Sequence, residues 1–181
     1  MGVHDEDIEE VLISDRQIQE KVAELGARIT ADYAGRDLLL VGVLKGAFVM
    51  MADLSRYIGL PLEFDFMAVS SYGAATQTSG VVRILKDLDH EVMGKDVLIV
   101  EDIIDSGLTL SWLKSNLESR GTASVEICTA FRKPTAAKVE IDVKYVGYDI
   151  PNEFVVGYGL DYAEKYRNLD FVGTLAPHVY E

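Results

Sequence analysis

Val97-Leu98-Ile99-Val100-Glu101-Asp102-Ile103-Ile104-Asp105-Ser106-Gly107-Leu108-Thr109 is the stretch that decides the fold. Its aliphatic run, bounded by Lys95-Asp96 on one side and by acids on the other, has the composition of a parallel strand covered on both faces. The Glu-Asp pair then falls at the carboxyl end of that strand, where open α/β sheets bind their ligands. The following Asp-Ser-Gly-Leu-Thr turn aims several backbone N–H groups and two hydroxyls at one spot. A helix starting near Thr109 adds its positive end, which favours a phosphate there. Acids after a strand, or a Ser-Gly turn, are commonplace singly; strand, acid pair, two aliphatics and Asp-Ser-Gly-x-Thr in that order are far more specific.

Working outward, Ser14 and Gln17 form a capping-box pattern, with Ile13 and Ile18 placed as a hydrophobic staple. Ile18, Val22, Leu25 and Ile29 line one face of the helix that follows. Residues 37–44 read as a buried strand, 46–57 as a helix and 62–69 as a strand. Residues 81–86 read as a strand that closes a long hairpin. Between the last two, residues 70–80 are small and polar with little to bury, which predicts a mobile flap loop. After the deciding stretch, Leu110, Leu113 and Leu117, with Trp112 beside them, mark a helix stopped by Gly121. Residues 124–130 resume the sheet, Arg132-Lys133-Pro134 breaks it, and 143–146, 154–159 and 171–175 read as short strands. This alternation predicts an α/β fold: a doubly wound, mostly parallel sheet with helices on both faces and a small hood from the terminal segments. Residues 1–181 form one domain, of which the polar, acidic residues 1–10 are expected to be loosely ordered.

Seventeen basic against thirty acidic side chains give a net charge of −13, which disfavours nonspecific binding to nucleic acid or to an anionic membrane surface. A phosphorylated ligand would instead have to be met by local cations, backbone amides and a divalent cation held by acids. Cys128 is the only cysteine, so an intrachain disulfide is impossible, and its neighbours Ile127 and Thr129 mark it as a buried strand thiol. His4, His90 and His178 lack metal-ligand spacing and read as surface or loop residues. The acidic start has no signal-peptide pattern and residues 38–52 are too short to cross a bilayer, so the expected compartment is the cytoplasm.

Four segments in order resemble the hypoxanthine-guanine branch of the phosphoribosyltransferase family: Val43-Leu44-Lys45-Gly46-Ala47, Ser70-Ser71-Tyr72-Gly73, the deciding stretch, and Lys133 with the run from Phe154 through Val155, Asp161 and Tyr162 to Arg167. The resemblance implies a purine salvage enzyme that moves the 5-phosphoribosyl group of phosphoribosyl pyrophosphate to N9 of hypoxanthine or guanine. It implies Mg²⁺ as cofactor, with Glu101, Asp102 and Asp161 as metal residues, the first two also engaging the ribose hydroxyls. Asp105 is implied as the acid–base group at N7. Asp105, Ser106, Gly107, Leu108 and Thr109 would hold the 5′-phosphate, and Lys45, Gly46 and Arg167 the pyrophosphate. The peptide bond before Lys45 is cis in some relatives. Ser71 and Tyr72 would head a flap that excludes water from an activated ribosyl donor.

For the base, the resemblance implies that Lys133 donates to O6, that Phe154 stacks on the ring and that the Val155 backbone meets its other edge. A lysine offers no acceptor to an amino group, so a 6-oxopurine is favoured over adenine. On its own, Phe154 in a Phe-Val-Val strand reads as a core aromatic. Arg132, where many bacterial relatives carry an acid, and Gly159, where others have alanine, leave the ranking of hypoxanthine, guanine and xanthine open. Relatives are dimers or tetramers, so the partners implied are the two substrates and further copies of the chain. The alternative is a transcriptional regulator that binds phosphoribosyl pyrophosphate on the same fold, which needs a basic face or an added DNA-binding domain.

Overall fold

The computed structural model describes residues 5–71 and 82–181. In chain order it has β1 (Ile8–Ile13), α1 (Asp15–Asp32), β2 (Leu38–Leu44), α2 (Phe48–Arg56), β3 (Leu62–Ser71), β4 (Val82–Lys86), β5 (Asp96–Ile104), α3 (Leu108–Glu118), β6 (Ser124–Arg132), β7 (Tyr145–Asp149), β8 (Val155–Val156) and β9 (Val172–Leu175). Six strands form the main sheet in the order β4-β3-β2-β5-β6-β7. All its neighbours are parallel except β4, which returns antiparallel beside β3. From β2 the chain winds outward to β3 and β4, then re-enters on the other side of β2 at β5 and winds the opposite way. The topological switch point therefore lies between the carboxyl ends of β2 and β5.

The uninterrupted aliphatic runs follow from burial on both faces, because successive strand side chains point to opposite sides. Leu38, Leu40, Leu98, Val100 and Cys128 pack with Ile18, Val22, Leu25 and Ile29 of α1 and with Met50, Met51 and Leu54 of α2. The alternate residues Leu39, Val41, Val97, Ile99 and Ile127 pack with Leu110, Leu113 and Leu117 of α3. The capping box of α1 is formed: the Gln17 N–H donates to Ser14 Oγ at 3.2 Å and the Ser14 N–H to Gln17 Oε1 at 2.9 Å. Ile13 and Ile18 are buried in one cluster. Cys128 is fully buried, and burial pushes its thiol up to about 12, so it serves as a small apolar filler. Among the described residues no helix is long and apolar enough to cross a membrane.

Several expectations are corrected. Residues 5–10 are not loose: Asp5–Asp7 forms a 3₁₀ turn, and β1 pairs antiparallel with β9 near the other end of the chain, which ties the segment down. The strand expected over 154–159 shrinks to Val155–Val156 and leaves the main sheet. It joins a separate three-stranded sheet of order β1-β9-β8, which is the hood. Its end is set by positive φ at Gly157 (100°), Tyr158 (49°) and Gly159 (96°), which turn the chain out of the strand. The last strand of the main sheet is Tyr145–Asp149 rather than 143–146, because its partners are Cys128 to Arg132 at the carboxyl half of β6. Ser70 and Ser71 continue β3, paired with Arg83 and Val82, so these two residues of the expected flap are strand. The rest of the segment expected as a flap, with Tyr72, lies outside the described residues.

Candidate active site

The switch point gathers side chains from four parts of the chain. β5 continues through both acids to Ile104, so Glu101 and Asp102 sit inside its last residues rather than after it. The Asp102 N–H donates to Glu101 Oε1 at 3.1 Å, and the Ile103 N–H to Asp102 Oδ1 at 2.7 Å. Burial, reinforced by repulsion from Asp102, raises Glu101 well above the usual carboxylate range. Burial also raises Asp102, with the Ile103 amide and the Arg167 charge pulling the other way. Two desolvated carboxylates that resist ionising together form a donor set suited to a hard divalent cation. Among the described residues no three acids converge on a single point, and Asp161 stands in the neighbouring loop beside Arg167 rather than with the pair.

Beyond Ile104 the chain makes the turn of Asp105, Ser106 and Gly107, and Gly107, at φ 79°, caps α3. Glycine has no side chain to accept the first helical N–H groups, and only the Leu108 N–H finds a weak acceptor, Ser106 Oγ at 3.4 Å. The helix start is thus left open to an anion. A cavity of about 180 Å³ lies over it, walled by Glu101, Ile103 and Asp105 from one side and Ser106, Gly107 and Thr109 from the other. The segment after β6 braces the turn from outside, because the Lys138 N–H donates to Ser106 O at 3.0 Å and Val139 packs near Gly107.

Lys133 follows β6, and its N–H donates to Ile104 O at 2.9 Å, so its backbone is fixed to the end of β5. Its side chain is buried, with Nζ 3.4 Å from Asp105 Oδ1, while Asp105 is half exposed. Phe154 is 58 % exposed, so the core-aromatic reading is wrong. Its ring meets Tyr162 edge-to-face, with centroids 5.8 Å apart. Val155 is buried in β8, paired to Thr174.

The loop after β2 completes the floor. The Leu44–Lys45 peptide bond is cis. A Cβ on Gly46 would collide with the Asp102 carboxylate, and one on Gly159 with the Gly46 carbonyl. Glycines at 46 and 159 therefore let the Lys45 loop pack between β5 and the loop that carries Asp161 and Arg167. That last loop is anchored behind by the Tyr158 hydroxyl, which donates to Asp53 Oδ2 of α2 at 2.7 Å. Arg167 Nη1 donates to Gly159 O at 2.7 Å and its Nη2 stands 3.5 Å from Asp161. Its buried Nε has no partner among the described residues.

Lys45, Gly46, Glu101, Asp102, Asp105 to Thr109, Lys133, Asp161 and Arg167 stand together at the strand ends, while Phe154 lies beside Tyr162 against a separate cavity walled by Glu9, Glu10 and Tyr180. Ser71 is the last residue of β3, and Tyr72 lies outside the described residues. Sequence reasoning missed Glu164, whose carboxylate bonds Lys45 at 3.0 Å, and missed the packing role of Gly159. In Asp-Tyr-Ala-Glu-Lys a glutamate looks like any solvated acid; only the tight turn at 161–166 brings it into the site.

Residues 12–163 match the family described as phosphoribosyl transferase domain. The chain is 58% identical over 181 residues to a hypoxanthine-guanine phosphoribosyltransferase of Mycobacterium tuberculosis, covering 97% of this chain and 90% of that one. It is 55% identical over 175 residues to the protein of the same name from Bacillus subtilis, covering 97% of both. A crystal structure of a hypoxanthine phosphoribosyltransferase from Staphylococcus aureus superposes with a TM-score of 0.96 at 49% identity, covering 99% of this chain and 98% of that one. With the acid pair, the open helix start and the paired Lys133 and Asp105 at one switch point, these likenesses show that the chain belongs to the phosphoribosyltransferase family, on its hypoxanthine-guanine branch.

Proposed function

We propose that the protein transfers the 5-phosphoribosyl group of phosphoribosyl pyrophosphate to N9 of hypoxanthine or guanine, yielding IMP or GMP and pyrophosphate in the cytoplasm. The observation that carries this reading is the buried Lys133 ammonium 3.4 Å from the half-exposed Asp105 carboxylate, beside the cavity over the start of α3. Lys133 donates to O6 of the base and builds positive charge against the ring, which draws the base's proton toward Asp105. As the bond from C1′ to the pyrophosphate oxygen breaks and the bond from C1′ to N9 forms, Asp105 takes the proton from N7. Phe154 stacks on the purine and the Val155 backbone fixes its other edge. The N–H groups and hydroxyls of 105–109 hold the 5′-phosphate. Lys45, the Gly46 backbone and Arg167, whose Nε donor is unpaired among the described residues, hold the leaving pyrophosphate.

Glu101, Asp102 and Asp161 are the residues that would hold Mg²⁺, which supplies charge neutralisation for the pyrophosphate and the ribose hydroxyls. Ser71 and Tyr72 are assigned to the closing flap. Self-association as a dimer or tetramer would cover Phe48 of α2, Tyr57 just after that helix and Phe64 of β3, all exposed in one chain. The regulator reading has no support: the relatives carry an enzyme's name, and the charge of −13 opposes nucleic acid.

The test is nucleotide formation by the purified protein with phosphoribosyl pyrophosphate and Mg²⁺, offering hypoxanthine, guanine, xanthine, adenine and uracil separately. Product from 6-oxopurines alone supports the reading, and the relative rates rank the bases. Product from adenine at a comparable rate would remove Lys133 from base selection.

A further inference from the structure

The two cations assigned to pyrophosphate already share an anion, the carboxylate of Glu164. Lys45 Nζ donates to Glu164 Oε2 at 3.0 Å, and Arg167 Nη2 stands 3.6 Å from the other oxygen, Oε1. Backbone geometry places it there: Ala163, Glu164 and Tyr166 have φ of 51°, 66° and 78°, in the left-handed region. The turn is closed by reciprocal bonds between Tyr162 and Lys165, both 3.0 Å, and the Glu164 N–H donates to Asp161 Oδ2 at 2.9 Å. Glu164 is therefore held over the site by the same loop that supplies Asp161 and Arg167. A carboxylate spanning a lysine from the β2–α2 loop and an arginine from the hood side occupies the positions that phosphoryl oxygens would take.

We propose that Glu164 is an internal competitor for the pyrophosphate-binding cations, displaced when a diphosphate binds and returning when it leaves. The inference rests on assigning Lys45 and Arg167 to pyrophosphate. Lys45 and Glu164 are both about two-thirds exposed, so their pair is weak and exchanges readily for a ligand with more charge and more acceptor oxygens. The exchange has a direction. Each diphosphate must release Glu164 from Lys45 and Arg167, which lowers its affinity. After transfer, the same carboxylate favours release of the product pyrophosphate.

Titration calorimetry of pyrophosphate with Mg²⁺ into the wild-type protein and into Glu164→Gln tests this. The variant is expected to bind about two- to fivefold more tightly, the scale of one exposed ion pair, with the Tm unchanged. A residue that merely supported the loop would weaken binding when replaced, so a gain in affinity separates the two roles. Should Glu164→Gln fold poorly, Glu164→Asn carries the same test, because asparagine tolerates positive φ. Equal or weaker binding by the variant, while the wild type still binds, overturns the inference and leaves the proposed function standing. A wild-type protein that makes nucleotide but whose pyrophosphate affinity is untouched by Lys45→Ala and Arg167→Ala would overturn the assignment beneath it.

Discussion

Lys133 and Asp105 face each other across the ends of β6 and β5, Nζ to Oδ1 at 3.4 Å, with the lysine buried and the aspartate half exposed. In the proposed reaction one group of the pair donates to the base and the other accepts a proton from it. Lys133→Met should lower kcat/KM for hypoxanthine roughly 10- to 10²-fold through loss of a charge-assisted hydrogen bond, and leave adenine turnover no worse. Steady-state kinetics on both bases check it; an equal loss on adenine would mean that Lys133 acts without regard to the 6-substituent.

Gly46 has no space for a methyl group because the Asp102 carboxylate lies against it. Gly46→Ala must push the Lys45 loop away from β5 or displace Asp102. The expected result is a fall in kcat/KM for phosphoribosyl pyrophosphate on the order of 10²-fold, the scale of an ångström-size displacement of a reacting group. Kinetics with a parallel Tm measurement check this, since the fold should survive a change confined to the strand ends.

Asp65 is a buried carboxylate outside the site, accepting from the N–H groups of Phe66, Asp89 and His90 at 2.8, 2.9 and 3.1 Å and facing His90 Nδ1 at 3.0 Å. Burial pushes its pKa up, but the bonds from His90, Phe66 and Asp89 outweigh this and hold it below the usual carboxylate range. Its stabilisation is therefore complete above the unfolded value, about 3.9, and is lost as pH falls through the lower folded value. Asp65→Ala should cost on the order of 3 kcal/mol at pH 7 by leaving amides unpaired. Denaturant unfolding at pH 7 and near pH 3 should show that deficit narrowing in acid.

Ser14→Ala removes the acceptor for the Gln17 amide and should cost roughly 1 kcal/mol, with Gln17 left to bond the residue 14 N–H alone. Urea unfolding measures it, and activity should not change because α1 packs behind the sheet.

What was legible in the sequence was local or periodic. The aliphatic runs at 38–44 and 97–100 announced strands buried on both faces, Ser14 with Gln17 announced a helix start, and the 101–109 run carried its strand, turn and helix together. What was hidden depends on partners far along the chain. β1 is a strand because β9, more than 150 residues later, pairs with it, and β8 shrinks to two residues because the chain turns at Gly157 and Tyr158. Phe154 stood out only through the family resemblance, because its Val-Val neighbours suggest core; its own side chain is exposed. Glu164 entered the site through positive φ at Ala163 and Glu164 itself, for which the sequence offers no glycine or asparagine as a signal.

In the proposed reaction Asp105, beside Lys133, handles the proton of the purine during transfer. The measurement that tests it most directly is the single-turnover rate of nucleotide formation by Asp105→Ala, alongside the dissociation constant for phosphoribosyl pyrophosphate. The rate is expected to fall roughly 10²- to 10⁴-fold with the donor still bound. An undiminished rate would contradict it and move the acid–base role to another group.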